Sequence, residues 1–176
     1  MGFFKEDIAK IKAFVFDVDG VLSAGEILLN EQGELLRTTN TKDGFALQFA
    51  IRQGFPVGII TGGNSEGVAT RYRNLGVEHI YLRSKDKKAD LADFIEKTGV
   101  SRDEILYMGD DLPDYEVMQA VGMPTCPKDA VHQIKAVASY ISDLKGGQGC
   151  VRDVIEQTLR AQKKWKFQDM KNLANS

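Results

Sequence analysis

Hydrophobic and polar positions follow two rhythms along this chain. Short, nearly continuous apolar runs occur at 13–18 (AFVFDV), 55–61 (FPVGIIT), 79–82 (HIYL), 104–110 (EILYMGD) and 122–127 (GMPTCP). Such runs read as five buried strands. Between them, apolar residues recur at helical spacing over 43–54, 64–76, 87–99 and 114–122, and each of these segments closes on a glycine, a natural helix stop. A further helix is expected to start near Cys150. This alternation of strand and helix predicts an α/β fold, a parallel sheet flanked by helices.

One segment breaks the rhythm. EILLNEQGELLRTTN at 26–40 reads as two strands joined at 30–33, a hairpin inserted straight after the first strand. It could pair with an edge of the main sheet. Alternatively it projects as a flap over about 24–40, which would expose Ile27, Leu28, Leu29, Leu35 and Leu36 unless another chain covered them. The tail from about 161 is polar, with Trp165 and Phe167 as its large apolar residues, expected to anchor by packing.

Length limits the chain to one domain spanning 1–176. The 23 Lys+Arg against 25 Asp+Glu leave a net charge of −2, which removes the electrostatic case for nucleic-acid binding. Any anionic ligand must then be held by local groups. Two cysteines, Cys126 and Cys150, are too few for a disulfide scaffold and read as small buried hydrophobes. The charged first residues do not read as a signal peptide, and no run approaches the ~20 apolar residues of a membrane span. A cytoplasmic protein with no membrane partner is expected.

Chemistry concentrates where strands end. In FDVDG (16–20), Asp17 and Asp19 stand two apart as a buried strand runs into a glycine turn. Adjacent carboxylates repel and raise each other's pKa unless a cation lies between them. A hard divalent ion such as Mg²⁺ relieves that repulsion. Thr61-Gly62-Gly63 follows the second strand, where a hydroxyl and glycine amides can cradle phosphate. Lys87 opens a helix, against the helix dipole, and is mildly unfavourable there without an anion to meet. MGDDLPD (108–114) places Asp110, Asp111 and Asp114 after the fourth strand, and three carboxylates there demand neutralisation or good solvation. Singly, each motif also has a plain structural reading: an Asp turn, a glycine turn, a solvated basic patch. Their joint order at element boundaries points to a metal site. His79 and His132 fall outside the acids and read as structural.

The order DxD, T-G, Lys, GDDxxD resembles that of the haloacid dehalogenase (HAD) superfamily of aspartate-nucleophile phosphatases, over roughly 10–160. The resemblance implies a doubly wound, mostly parallel, Rossmann-like sheet carrying the hairpin as a flap. It implies Asp17 as nucleophile, Asp19 as general acid/base, Thr61 as phosphoryl ligand and Lys87 as the neutralising cation. Mg²⁺ would be held by Asp17, the backbone carbonyl of Asp19, and Asp110, supported by Asp111 and Asp114. Phosphoryl transfer asks for in-line positioning and charge neutralisation, which these groups supply.

No inserted cap fits between Asp19 and Thr61 or between Thr61 and Asp110, so another chain or a large substrate must cover the site. The hairpin, TTNTKDGFAL (38–47), GDDLPDYEVM (109–118) and GGQGCVRDVIE (146–156) resemble the phosphatases of 3-deoxy-D-manno-octulosonate (KDO) 8-phosphate. That resemblance implies an eight-carbon sugar-acid phosphate substrate, lipopolysaccharide biosynthesis and a homotetramer whose flaps reach neighbouring sites. Gly62, Thr41 and Arg71 would contact substrate, the latter two from an adjacent subunit. Gly146, Gly147, Gly149 and Arg152 would close over it. Many such phosphatases have arginine where Gly63 stands, and nine-carbon sugar-acid 9-phosphatases have glutamate, so Gly63 lacks the acidic mark of the latter. A nine-carbon substrate, a non-catalytic binding domain and a phosphoprotein phosphatase are the competing readings.

Overall fold

The computed structural model describes residues 4–166 and 168–170; Phe167 lies outside them. After a short helix α1 (Phe4–Ile8), strand β1 (Ala13–Phe16) enters the middle of a six-stranded sheet. The other sheet strands are β4 (Val57–Ile60), β5 (His79–Tyr81), β6 (Ile105–Met108), β7 (Met123–Cys126) and β8 (Tyr140–Ile141). Their order is β5-β4-β1-β6-β7-β8 and every pairing is parallel. The chain winds outward from β1 to β4 and β5, then returns to the far side for β6, β7 and β8. The winding direction reverses at β1, and ligands of such sheets bind at that reversal, beyond the carboxyl ends of the strands.

Both sheet faces are covered, which is why β1, β4, β6 and β7 are buried at every position rather than at alternate ones. In β1, Phe14 and Phe16 face one core and Ala13 and Val15 the other, all fully buried. The first core is closed by α2 (Thr41–Arg52) and α7 (Cys150–Ala161), through Leu47, Phe49, Val154 and Ile155. The second is closed by α4 (Lys87–Thr98), α5 (Tyr115–Met118) and α6 (His132–Val137), through Leu91, Phe94, Met118 and Ile134. α3 (Glu66–Arg73) lies between β4 and β5 in sequence and buries Val68, Ala69 and Tyr72. Cys126 and Cys150 are buried and unbridged, as expected of small hydrophobes. Trp165 packs edge-on to Phe45 and Phe49.

Three expectations need correction. The sheet has a sixth strand, β8, only two residues long and at the edge, too short for a periodic signal. Helices α1 and α6 were likewise not anticipated. The helix expected at 114–122 is a 3-10 turn (Leu112–Asp114) running into the four residues of α5. It stops because Gly122 is drawn to the neighbouring turn: its amide donates to the carbonyl of Arg102 (3.0 Å), and a Cβ there would lie 2.1 Å from the carbonyl oxygen of Asp103.

The hairpin is present as β2 (Leu28–Leu29) and β3 (Leu35–Leu36), antiparallel, and forms its own two-stranded sheet rather than an edge of the main one. Asn30 builds its turn: Oδ1 accepts the amides of Gln32 and Glu34. Leu28, Leu29, Leu35 and Leu36 are 64, 72, 48 and 48% exposed.

Candidate active site

Three adjacent strands deliver the acids and hydroxyl to one edge. Asp17 follows β1, Thr61 follows β4, and Asp110 lies two residues beyond β6. They line a cleft of about 500 Å³ together with Asp19, Lys87 and Lys85. Backbone bonds fix the rims: the amide of Asp17 donates to Met108 O (3.0 Å) and that of Thr61 to Tyr81 O (3.0 Å).

Asp17 is nearly buried. Its Oδ1 accepts the amide of Val18 (2.6 Å), and its Oδ2 lies 2.9 Å from Lys87 Nζ. Lys87 opens α4, whose N-cap Asp86 accepts the amides of Lys88 and Ala89, leaving the lysine side chain free to turn inward. There it also donates to Asp114 Oδ1 (2.7 Å). Asp114 is fully buried and fully engaged: Oδ1 accepts Tyr107 OH as well (2.7 Å), and Oδ2 accepts the amide of Asp110 (3.2 Å). Two glycines permit this crowding. A Cβ on Gly109 would lie 2.4 Å from the Asp114 side chain, and one on Gly20, whose φ is +83°, would lie 1.9 Å from Asp110 Oδ2.

Carboxylate oxygens of Asp17, Asp110 and Asp114 all come within 4.8 Å of one another. Burial, then the Asp114 charge, pushes Asp17 up to about 8, with Lys87 opposing. Burial, then Asp114 and Asp111, pushes Asp110 up to about 7. Burial works against the charge of Lys87, but Asp17 and Asp114 outweigh it and hold its pKa above the ordinary value. One buried ammonium thus faces several carboxylates. This excess of converging oxygen ligands fits a hard divalent cation.

Thr61 Oγ1 accepts the amide of Gly63 (3.0 Å), so its hydroxyl hydrogen remains available to an anion in the cleft. Gly62, Gly63 and the exposed Asp111 also border the cleft, and Asp111 Oδ1 caps the Leu112 amide. Asp19 is held by a residue that sequence reasoning missed. Arg37, one position past β3, donates from Nε to Asp19 Oδ1 (2.6 Å) and from Nη2 to Asp19 Oδ2 (3.0 Å). No local pattern marks an arginine after two leucines for this role; the contact spans 18 positions of the chain. Tyr107 was missed for a similar reason, since it reads as one more apolar strand residue.

The remaining expected residues do not line this cleft. Thr41 opens α2, and Arg71 sits on α3 with Nη2 facing Gly44. Arg152 donates its amide to Asp43 (2.7 Å) and its Nε to Glu156 (3.1 Å), with its guanidinium over Phe45 and Trp165. Gly146 and Gly147 pack against the backbone of Gly20 and Ala24, and Gly147 O accepts Asn40 Nδ2 (3.1 Å). Gly149 is the left-handed N-cap of α7. His79 meets Phe94 edge-on, and His132 is exposed at the start of α6. A larger hollow of about 640 Å³ at the opposite edge, beside Phe55 and Lys164, has Glu104 as its one acid and lacks this chemistry.

Comparison with known proteins agrees with this geometry. Residues 27–122 match the haloacid dehalogenase-like hydrolase family. The chain is 36% identical over 154 residues to 3-deoxy-D-manno-octulosonate 8-phosphate phosphatase KdsC of Escherichia coli K12, covering 88% of this chain and 82% of the relative. The crystal structure of the Moraxella catarrhalis phosphatase in complex with magnesium, phosphate and KDO superposes with a TM-score of 0.88 at 34% identity, covering 98% of this chain and 97% of that one. The Yersinia pestis phosphatase gives a TM-score of 0.88 at 34% identity, covering 91% and 86%. This chain therefore belongs to the haloacid dehalogenase-like hydrolases, and its similarity within them runs to the KDO 8-phosphate phosphatases.

Proposed function

We infer that the protein is a Mg²⁺-dependent phosphatase that hydrolyses KDO 8-phosphate to KDO and phosphate through an aspartyl-phosphate on Asp17. The observation that carries this reading is the meeting of Asp17, Asp19, Thr61, Lys87 and Asp110 in one cleft at the reversal point of the sheet. Asp17 lines the cleft, and Lys87 holds it in orientation. It attacks phosphorus, and the bond to the sugar oxygen breaks. Asp19 gives that oxygen a proton, then takes one from the water that opens the acyl phosphate, so the two displacements share one acid/base. Thr61 donates its hydroxyl hydrogen to a phosphoryl oxygen, and the Gly62 loop lets the anion approach backbone. Lys87 offsets the charge gathered between nucleophile and ester.

Asp17, the Asp19 carbonyl and Asp110 are the ligands this reading assigns to Mg²⁺, with Asp111 beside them and Asp114 behind, holding Lys87. Bound there, the ion would supply charge neutralisation for the transferring phosphoryl group. The exposed flap leucines support a homotetramer in which the flap of one subunit covers the site of the next; Thr41 and Arg71 then serve a neighbouring site, and Gly147 and Arg152, at the entry to α7, are assigned to closure over the substrate. Among the described residues no helix is long and apolar enough to cross a membrane; a cytoplasmic place in lipopolysaccharide biosynthesis is part of the same reading.

The test is phosphate release from KDO 8-phosphate with Mg²⁺ and after its removal by chelation, beside the same assay on a nine-carbon sugar-acid 9-phosphate. Higher kcat/KM on the eight-carbon ester, lost on chelation, is expected. Preference for the nine-carbon ester would replace the substrate, and turnover of neither would sink the reading.

A further inference from the structure

The acid assigned to proton transfer is tied to an arginine that follows the flap of its own chain. Both oxygens of Asp19 are occupied by the Arg37 fork, and Ser23 Oγ lies 3.4 Å from Oδ1. The Arg37 side chain is only 6% exposed, although it follows a hairpin whose four leucines are 48–72% exposed. Its third nitrogen, Nη1, donates back to Leu35 O (3.0 Å), so the guanidinium ties the catalytic acid to the flap backbone. The space it fills is beside the phosphate loop: a Cβ on Gly63 would lie 3.3 Å from Arg37 Nη2 and 3.3 Å from Thr61 Oγ1. Asp19 lines the cleft and its side chain is 32% exposed, but both its oxygens are engaged by this fork, so a leaving-group oxygen competes with Arg37 for it.

A buried guanidinium that releases one anion must find another. Building on the substrate class proposed above, we propose that Arg37 exchanges the Asp19 carboxylate for the carboxylate of the sugar acid. The bidentate geometry it shows on Asp19 is the one that suits a free carboxylate. The exchange frees Asp19 for proton transfer and draws the hairpin arm onto the substrate, so specificity for an acidic sugar and access to the general acid are set by one residue. A phosphate ester without a carboxylate gives Arg37 no second partner and leaves Asp19 occupied. Arg37 is thus a specificity-determining residue supplied by the same chain as the cleft.

The test compares unmodified protein, Arg37→Ala and Arg37→Lys on KDO 8-phosphate and on p-nitrophenyl phosphate, which has no carboxylate, in the presence of Mg²⁺. Arg37→Ala is expected to raise KM for the sugar acid by about tenfold or more, the scale of one lost charge-assisted contact. The same variant is expected to raise kcat/KM for the aryl phosphate severalfold, because Asp19 is released. Arg37→Lys, with a point charge in place of the fork, should fall between on both substrates. Equal losses on the two esters, a fall on the aryl phosphate, or an unmoved KM for the sugar acid would each overturn the exchange. Failure of the substrate reading looks different: the unmodified protein would leave KDO 8-phosphate intact, and the Arg37 exchange would then stand or fall on the aryl phosphate alone.

Discussion

The catalytic edge and the flap invert the usual distribution of residues. At the edge, charged groups are buried: Asp17 and Lys87 are each 8% exposed and Asp114 is fully enclosed. On the flap, four leucines are about half exposed or more. Buried charges are tolerated only when paired, and here Lys87, Tyr107 OH and the Asp110 amide satisfy both Asp114 oxygens. Exposed leucines carry no such internal remedy, since a two-stranded hairpin has no second layer to bury them. One region is completed from within the subunit. The other leaves its four leucines without a covering layer among the described residues.

The largest effect expected at the edge is on turnover. Asp17→Asn keeps the shape and the acceptor for the Val18 amide but removes the proposed nucleophile, so kcat should fall by about 10⁴-fold or more. Circular dichroism and the melting curve should remain close to those of the unmodified protein. Retained activity in this variant would break the assignment of the edge as the reacting centre.

Next in size is the pairing itself. Lys87→Met leaves the enclosed Asp114 carboxylate without its cation, and removing one partner of a buried pair costs about 3–5 kcal/mol. Urea denaturation in the absence of divalent ions should register that loss. Lys87→Met with undiminished stability would mean that the edge does not depend on internal pairing.

A smaller effect is expected from the flap, and it falls on assembly rather than on folding. A fully buried leucine is worth about 1.5–3 kcal/mol, so Leu29→Ser with Leu36→Ser should weaken a flap-mediated tetramer markedly. Light scattering should then report smaller species while the monomer's melting temperature changes little. A tetramer that survives the double substitution would remove the flap from the interface.

The edge was legible in sequence because its parts are local. Asp17, Thr61 and Asp110 each follow an apolar run, and the strand ends place them at one face without further information. Lys87 was legible through its conflict with the helix dipole, which the inward turn toward Asp17 and Asp114 resolves. Arg37 was not legible, because its partner lies across a hairpin whose angle to the sheet is set by tertiary packing. β8 and α6 escaped for another reason: elements of two and six residues are too short to express a period. The truncated helix at 115–118 shows a glycine serving the neighbouring turn at Arg102 and Asp103 instead of merely ending a helix.

Asp43 ties the helix that follows the flap to α7 and carries the last effect. It sits in the first turn of α2, directly after the flap, and its Oδ1 accepts the Arg152 amide of α7. Its Oδ2 has no hydrogen-bond partner among the described residues. Burial raises its pKa to about 6, against the opposing Arg152 and Gly149 amides and the Arg152 charge. A carboxyl whose pKa is higher in the folded state favours folding while it is protonated. That contribution is fully present below about pH 4 and is lost as pH rises through about 6. The shift corresponds to at most about 3 kcal/mol. Asp43→Asn keeps an acceptor for the Arg152 amide but does not titrate, so its stability should gain on the unmodified protein between pH 4 and pH 7 and run parallel above that. Asp17 and Asp110 also titrate above the usual carboxylate range, but they are common to both proteins, so the difference between the two stability profiles isolates Asp43. Parallel profiles throughout would mean that this carboxyl finds solvent or a cation, and that the contact between α2 and α7 is looser than its burial implies.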